Sequence, residues 1–274
     1  MKNKLKSDCS KCFGLCCVAL YCFKTDGFPR DKKDGVPCIN LNDDFTCRVH
    51  ESLKEKGFKG CLSYDCLGAG QRVCQDTFKG VNWRSDKQNA PKMFSAFLLM
   101  KDIYEMMWYL YEASVLQSDP AKKNKIGDMM KSIDNLASSE YEELMKIDIV
   151  KIRHSVNKLL LETSIDVRNR YKKGRKSVFK HKKTMAGRPD YIEADLRKFD
   201  IKGEDLSGAF LIAANMKNMD LSGVDFLGAD MRDADICGAD LRYSIYITQA
   251  QINSARGSDE TKLPDNIHRL GHWR

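Results

Sequence analysis

The sequence predicts a multi-domain chain in three parts: a cysteine-rich segment held together by metal, a small α-helical bundle, and a coil built on a five-residue repeat. Three observations carry this reading. Ten of the eleven cysteines lie between Cys9 and Cys74. From Met93 the apolar residues fall at helical spacing, and from about Ala194 every fifth residue is apolar. Length agrees: 274 residues and 31.3 kDa suit two modest domains or one with appendages.

Composition narrows the class. Apolar residues make up 42% and charged residues 31%, a globular rather than a disordered balance. The net charge of +8 is unevenly spread, because residues 194–248 hold ten acidic and six basic side chains, a net of −4. The remainder therefore carries about +12. The start, MKNKLKSDCSKC, has no apolar stretch behind its lysines. The run Met93 to Met100 is far short of the ~20 residues that span a bilayer. A soluble, cytoplasmic protein without membrane attachment is expected, and a reducing compartment argues against a disulfide framework.

The cysteines read Cys9-x2-Cys12-x3-Cys16-Cys17, then Cys22, Cys38, Cys47, Cys61, Cys66 and Cys74, in a loop-rich segment marked by FPRDKKDGVP and GFKGC. Clustered thiols in such a chain point to metal ligands. Four thiolates suit tetrahedral zinc or an iron–sulfur centre. The segment has few large aliphatic residues, so metal is expected to staple it. Thiols buried as small hydrophobes and, in a secreted chain, disulfides are the competing readings. The adjacent pair Cys16-Cys17 suits ligands to two sites, or one ligand beside a structural thiol.

CSKCFGLCC, the PC at 37–38, Cys47 and the C-x4-C at 61–66 resemble the small cysteine-cluster proteins described as zinc- or iron-chelating. The resemblance covers about residues 9 to 70. It implies Cys9, Cys12, Cys16, Cys17, Cys38, Cys47, Cys61 and Cys66 as metal ligands, with the metal, zinc or iron, left open. Cys22 and Cys74 fall outside the pattern, and His50 follows Cys47 at a ligand-like interval, although a lone histidine on a polar segment is more often a surface residue.

Residues 76–93 are polar and read as a connector. Phe94, Phe97, Leu98, Met100, Ile103, Tyr104, Met107, Trp108, Leu110 and Tyr111 then form a broad apolar helical face. Asp119-Pro120 pairs an N-cap with a first-turn proline and starts a second helix through Ile126, Met129, Met130, Ile133 and Leu136. Ser138-Ser139-Glu140 precedes a short third. Ile149 through Ile165 form a fourth, giving a bundle over about 93–167. The methionine and aromatic stripe reads as core rather than ligand groove. No nucleophile elbow, phosphate loop or zinc-protease motif is present, so the bundle carries no catalytic signature.

Arg168 to Lys183, RNRYKKGRKSVFKHKK, holds nine lysines or arginines and no acid. It reads as a solvated linker, 168–190, with contact to nucleic acid as the functional alternative. A third reading folds it back on the acidic repeat.

The repeat runs ADLRK, FDIKG, EDLSG, AFLIA, ANMKN, MDLSG, VDFLG, ADMRD, ADICG, ADLRY, SIYIT. Leu196, Ile201, Leu206, Leu211, Met216, Leu221, Phe226, Met231, Ile236, Leu241 and Tyr246 occupy the third place of each unit, with small residues often two earlier. Neither a strand nor a helix has period five, so each fifth residue must return to the same kind of corner. This resembles the pentapeptide-repeat family, which implies a right-handed quadrilateral β-helix over 191–248 with four units per coil. Eleven units give about 2.75 coils and a column about 13 Å tall. Phe199, Glu204 and Met219 break the small-residue rule, which predicts an irregular first coil and a costly Glu204 unless it turns outward. Residues 249–274 resemble the tail that closes such proteins, with a short helix at Gln249 to Ala255 and Trp273 packing back. His268 and His272 are read as structural or exposed.

These features support a non-enzymatic, metal-binding repeat protein whose β-helix meets a protein partner. One alternative, by family analogy, is a DNA mimic that protects DNA gyrase from quinolones. Another is a metal-dependent enzyme or thiol redox sensor, which needs an open coordination position and a general base that the sequence does not identify.

Overall fold

The computed structural model describes residues 2–174, 179 and 184–273. The chain divides into two compact units, Met1–Leu160 and Leu161–Arg274. Residues 175–178 and 180–183 of the basic run, Arg175 and Lys176 among them, lie outside the described residues.

The first unit is organised on one long helix. Three short helices come first: α1 (Leu15–Ala19), α2 (Lys59–Ser63) and α3 (Ala69–Arg72), the last continuing into a π-turn at Val73–Thr77. The long helix α4 (Ala90–Leu116) follows, then α5 (Pro120–Ala137), α6 (Tyr141–Leu144) and α7 (Ile149–Lys172). Asp119 caps α5, accepting from the amides of Ala121 at 2.8 Å and Lys122 at 3.1 Å. This satisfies two of the first-turn donors that a helix leaves unpaired.

α4 is apolar on several sides, as a helix covered on more than one face must be. Met93, Phe97, Met100, Ile103, Met107 and Trp108 are buried, so the methionine and aromatic stripe is core. α5 and α6 pack on α4, and so do α1, α3 and the π-turn of the cysteine segment. Leu15, Val18, Ala69, Val73 and Cys74 are buried there. The cysteine segment is therefore not the self-standing piece its composition suggests. It borrows a wall of its core from the helix that follows it.

The polar connector is also packed. Trp83 is buried, donates its indole N–H to the Phe13 carbonyl at 2.7 Å, and meets Phe45 and Phe94 edge-on. Its polar neighbours hid this anchor.

The second unit is the solenoid. Parallel bridges join Asp190 to Phe210 and Phe210 to Asp230, Asp195 to Asn215 and Asn215 to Asp235, Asp205 to Asp225 and Asp225 to Ile245, and Asp220 to Asp240. Each step is twenty residues, so four five-residue units complete one turn. Each bridge involves one residue per face and turn, so the coils are joined by stacked single bridges. Among the described residues the only sheet is a hairpin of β1 (Thr184–Met185) and β2 (Arg188–Pro189).

The repeat begins earlier than Ala194. Tyr191, the centre of PDYIE, is buried, and its amide bonds the Phe210 carbonyl at 2.9 Å. That unit completes three coils from Pro189. The expected linker also shortens, since α7 runs through Arg168 to Lys172.

All eleven predicted corners are buried, none more than 1% exposed. At the other end the tail continues the coil: Arg256 bridges Asp235 and Lys262 bridges Asp240. Before them α8 (Gln249–Ser254) starts with a capping box on Thr248. Gln251 donates to the carbonyls of Phe226 at 2.8 Å and Ala229 at 3.0 Å, pairing groups that the last coil would leave open. Trp273 is buried against Gly257. Among the described residues no helix is long and apolar enough to cross a membrane.

Leu221 and Leu241 stack in one column and are fully buried. Leu221→Lys or Leu241→Lys should lower unfolding free energy by several kcal/mol, because an unpaired charge would be buried. Urea unfolding measures this; Arg242→Ala, on the outside, serves as the near-neutral control.

Candidate functional site

Two places in the molecule bring functional side chains together: the thiols of the first unit and one face of the solenoid.

All eleven cysteines are free thiols. Hydrogen bonds tie together the stretches that carry them. On one side Ser7, two residues before Cys9, lies 3.3 Å from the Cys66 sulfur, and its hydroxyl accepts from Gly68 at 3.3 Å. The amide of Asp8 bonds the Gln71 side chain. On the other side the Cys38 amide bonds the Cys17 carbonyl at 2.9 Å, while Leu41 bridges Cys47 and Cys22 bridges Lys32. The sulfurs of Cys16 and Cys17 lie 3.9 Å apart.

Their electrostatics cross between these stretches: Cys17 feels Cys12, and Cys9 feels Cys17 as well as Cys66. The Cys12 thiol is lowered to about 7, chiefly because Cys74 donates to its thiolate. Burial pushes Cys61 up to about 12 and raises Cys9, Cys22 and Cys47. The Cys17 thiol is lowered, first by its hydrogen bond with Cys16 and also by the charge of Lys32. That ammonium is pinned by the carbonyls of Leu20 at 2.6 Å, Lys33 at 3.0 Å and Val36 at 3.0 Å. Spacing alone gave no sign of Lys32.

Among the described residues no three Cys, His, Asp or Glu side chains stand together as a ready-made metal group. The donor chemistry nevertheless suits a thiophilic ion. The Tyr64 hydroxyl is buried without a partner and feels Cys12, Cys16 and Cys66. A buried hydroxyl left unpaired is costly, and a metal-bound sulfur would accept from it. His50, His268 and His272 are exposed.

In the solenoid every kind of backbone amide has a place to go. The amide at each corner bonds one neighbouring coil, and the amide before it bonds the other, as at Met216 with Asp235 and Asn215 with Ala194. The amide after the corner is taken by an aspartate or asparagine side chain two residues earlier, as in Asp220 to Ser222 at 3.0 Å and Asp225 to Leu227 at 2.8 Å. The recurring aspartate is thus a turn residue. Its second oxygen is often neutralised as well, in Arg232–Asp230, Arg242–Asp240 and Lys217–Asp235. The fifth position takes a left-handed φ at Gly203, Gly208, Gly223, Gly228 and Gly238, which explains the glycines there.

One face is covered by the end of α7. A side chain at Gly223 would collide with the Tyr171 ring, and one at Gly203 would meet the Arg168 carbonyl at 2.8 Å. Arg168 pairs with Asp205, Ser164 donates to Asp225, and Lys172 meets Glu204 at 2.8 Å. Glu204 does not turn outward. It is buried and matched by a lysine from the helix. At the first coil Phe179 stacks on Tyr191 and meets Phe199 edge-on, so the oversized Phe199 serves the open end of the column.

Residues 192–228 and 205–242 match the model for pentapeptide repeats, in eight copies. Over 270 residues the chain is 42% identical to Uncharacterized protein YybG of Bacillus subtilis (strain 168), a match that covers 98% of this chain and 95% of that one. The chain belongs to the same family as that protein. Its C-terminal unit is a pentapeptide-repeat solenoid. The repeat match does not extend to the cysteine segment, which lies within the whole-chain match.

The face under α7 in this pentapeptide-repeat protein contains a titrating group. Burial raises the Asp225 carboxyl to about 6 despite its Ser164 bond, with Asp205 adding to the rise and Arg168 opposing it. A carboxyl raised above its unfolded value favours folding fully below that value, and the benefit is lost as pH climbs through 6. The loss is roughly 3 kcal/mol. Asp225→Asn should therefore be more stable than the parent at pH 7.5, with the advantage shrinking toward pH 4.5. A gap that stays constant across this range in urea unfolding would contradict the assignment.

Proposed function

We propose that this chain is a non-enzymatic pentapeptide-repeat protein that binds zinc or iron through its N-terminal thiols and presents the uncovered faces of its solenoid to a protein partner. The observation that carries the interaction reading is the helix on the fourth face. The solenoid already accommodates a polypeptide segment, using glycine gaps for an aromatic ring and buried acids for basic side chains. The same repeat geometry continues around the other three faces.

The state of the aspartates speaks against DNA mimicry. A mimic needs a column of free carboxylates spaced like phosphates. Here they serve backbone amides and neighbouring arginines or lysines, so little uncompensated charge remains. Contact between the basic run and nucleic acid loses part of its footing too, because Arg168 and Lys172 are engaged by Asp205 and Glu204. The metal part rests on eight thiols in one short segment, on Lys32 fixed beside Cys17 and Cys22, and on the unpaired Tyr64 hydroxyl. A bound ion would cross-link loops that have only one helical wall to pack against.

Two measurements test this function. Elemental analysis of anaerobically purified protein should find zinc or iron, and chelation should lower the thermal stability of the first unit. Metal-free protein with unchanged melting would remove the metal half. A photo-crosslinking residue at Lys217 or Arg242, in cells of the source organism, should give a discrete protein adduct that the parent chain does not give. Inhibition of gyrase supercoiling, or duplex binding much tighter than about micromolar at physiological salt, would transfer the function to nucleic-acid chemistry.

A further inference from the structure

We propose that the end of α7 is a pH-sensitive strap over one face of the solenoid, closed when the buried carboxyl of Asp225 carries a proton and loosened when it ionises. It depends neither on the metal nor on the partner proposed above. Asp205 and Asp225 are bridge partners on successive coils, so their side chains are stacked neighbours under the helix. The next member of that column is Ile245, fully buried and without charge. One guanidinium serves the two acids, and it is engaged: Arg168 of α7 pairs with Asp205. Asp225 is 3% exposed and is met by neutral donors, the Ser164 hydroxyl of α7 and the Leu227 amide of its own coil. The other cation that α7 brings here, Lys172, is taken by Glu204.

Two ionised carboxylates sharing one guanidinium would leave a negative charge out of water, and a single proton removes it. Asp225 is the group that takes the proton. Burial raises its carboxyl to about 6 against the bonds from Ser164 and Leu227, and the charge of Asp205 adds to the rise. Asp205 itself stays below its usual value although burial pushes it up, held by Ser207 and Arg168. Lifting α7 returns Asp225 to water and toward its ordinary value of 3.8. The proton-linked part of the contact is therefore complete below that value and lost as pH climbs through 6. Between pH 5 and 7.5 this linkage lowers the ratio of closed to open strap about tenfold. Tyr171, whose hydroxyl is raised by burial, keeps its proton throughout and contributes a constant contact on Gly223. Opening uncovers Glu204, Asp205 and Asp225 beside the gap at Gly203 and Gly223, an acidic slot that acid closes.

The test is amide hydrogen exchange of the full chain at pH 5 and 7.5, corrected for the intrinsic pH dependence of exchange, read over residues 164–172 and at Leu211 and Met216 of the middle coil. The α7 amides should be less protected than the middle coil at both pH values, because a strap opens without global unfolding. Their protection should fall about tenfold between pH 5 and 7.5. Asp225→Asn should abolish that fall. Asp205→Asn should move its midpoint to lower pH, since Arg168 is then left to Asp225. Equal protection of α7 at the two pH values would overturn the proposal, as would a fall that survives in Asp225→Asn. Protection of α7 identical to that of Leu211 and Met216 would overturn it too, by showing that the helix leaves only when the solenoid unfolds. The carbon-13 shift of the Asp225 carboxyl checks the titration without any substitution, and a midpoint at the ordinary carboxylate value would contradict the latch.

Discussion

The twenty-residue register of the solenoid is the constraint from which most of this molecule follows. A corner side chain can point inward only if the amides beside it reach the coils above and below, and those partners exist only at that interval. Once the register holds, the remaining amides must be met locally. The aspartate before each corner and the left-handed fifth residue do so. The ends cannot be met by repetition. They are closed by Gln251 of α8 and the Arg256 and Lys262 bridges at one end, and by Phe179 at the other.

The first unit solves a different problem. Its cysteine segment has too few aliphatic residues to enclose itself, yet it includes Leu15, Val18 and Val73, which are fully buried. α4 supplies the missing wall, and Trp83 ties the intervening loop to both sides. Metal would then fix the loops on the far side rather than create the whole fold. Within the segment, burial raises the Cys61 thiol, whereas the hydrogen bond from Cys74 makes Cys12 easily ionised.

Period and spacing were legible in the sequence; partners across space were not. Leu196 through Tyr246 could be read as corners because period five leaves no other regular structure. Tyr191 escaped because Pro189, two residues before it, is not small. Glu204 was visible as a problem, but its solution, Lys172, sits in a basic run that resembles a linker. The aspartates read as outward charges, since only coordinates reveal their bonds to backbone amides. The eight thiols stood out by spacing, whereas the contacts of Ser7 with Cys66 and of Cys38 with Cys17 join residues far apart in the chain.

Amide hydrogen exchange resolved to single residues in the solenoid tests the register most directly. Leu211, Met216, Leu221 and Phe226 donate to the coil above, and Asn215 and Asp225 to the coil below. Protection should therefore recur every five residues and be strongest in the middle coil. Slow exchange grouped in continuous runs without that period, or a middle coil no better protected than the ends, would contradict the twenty-residue stacking.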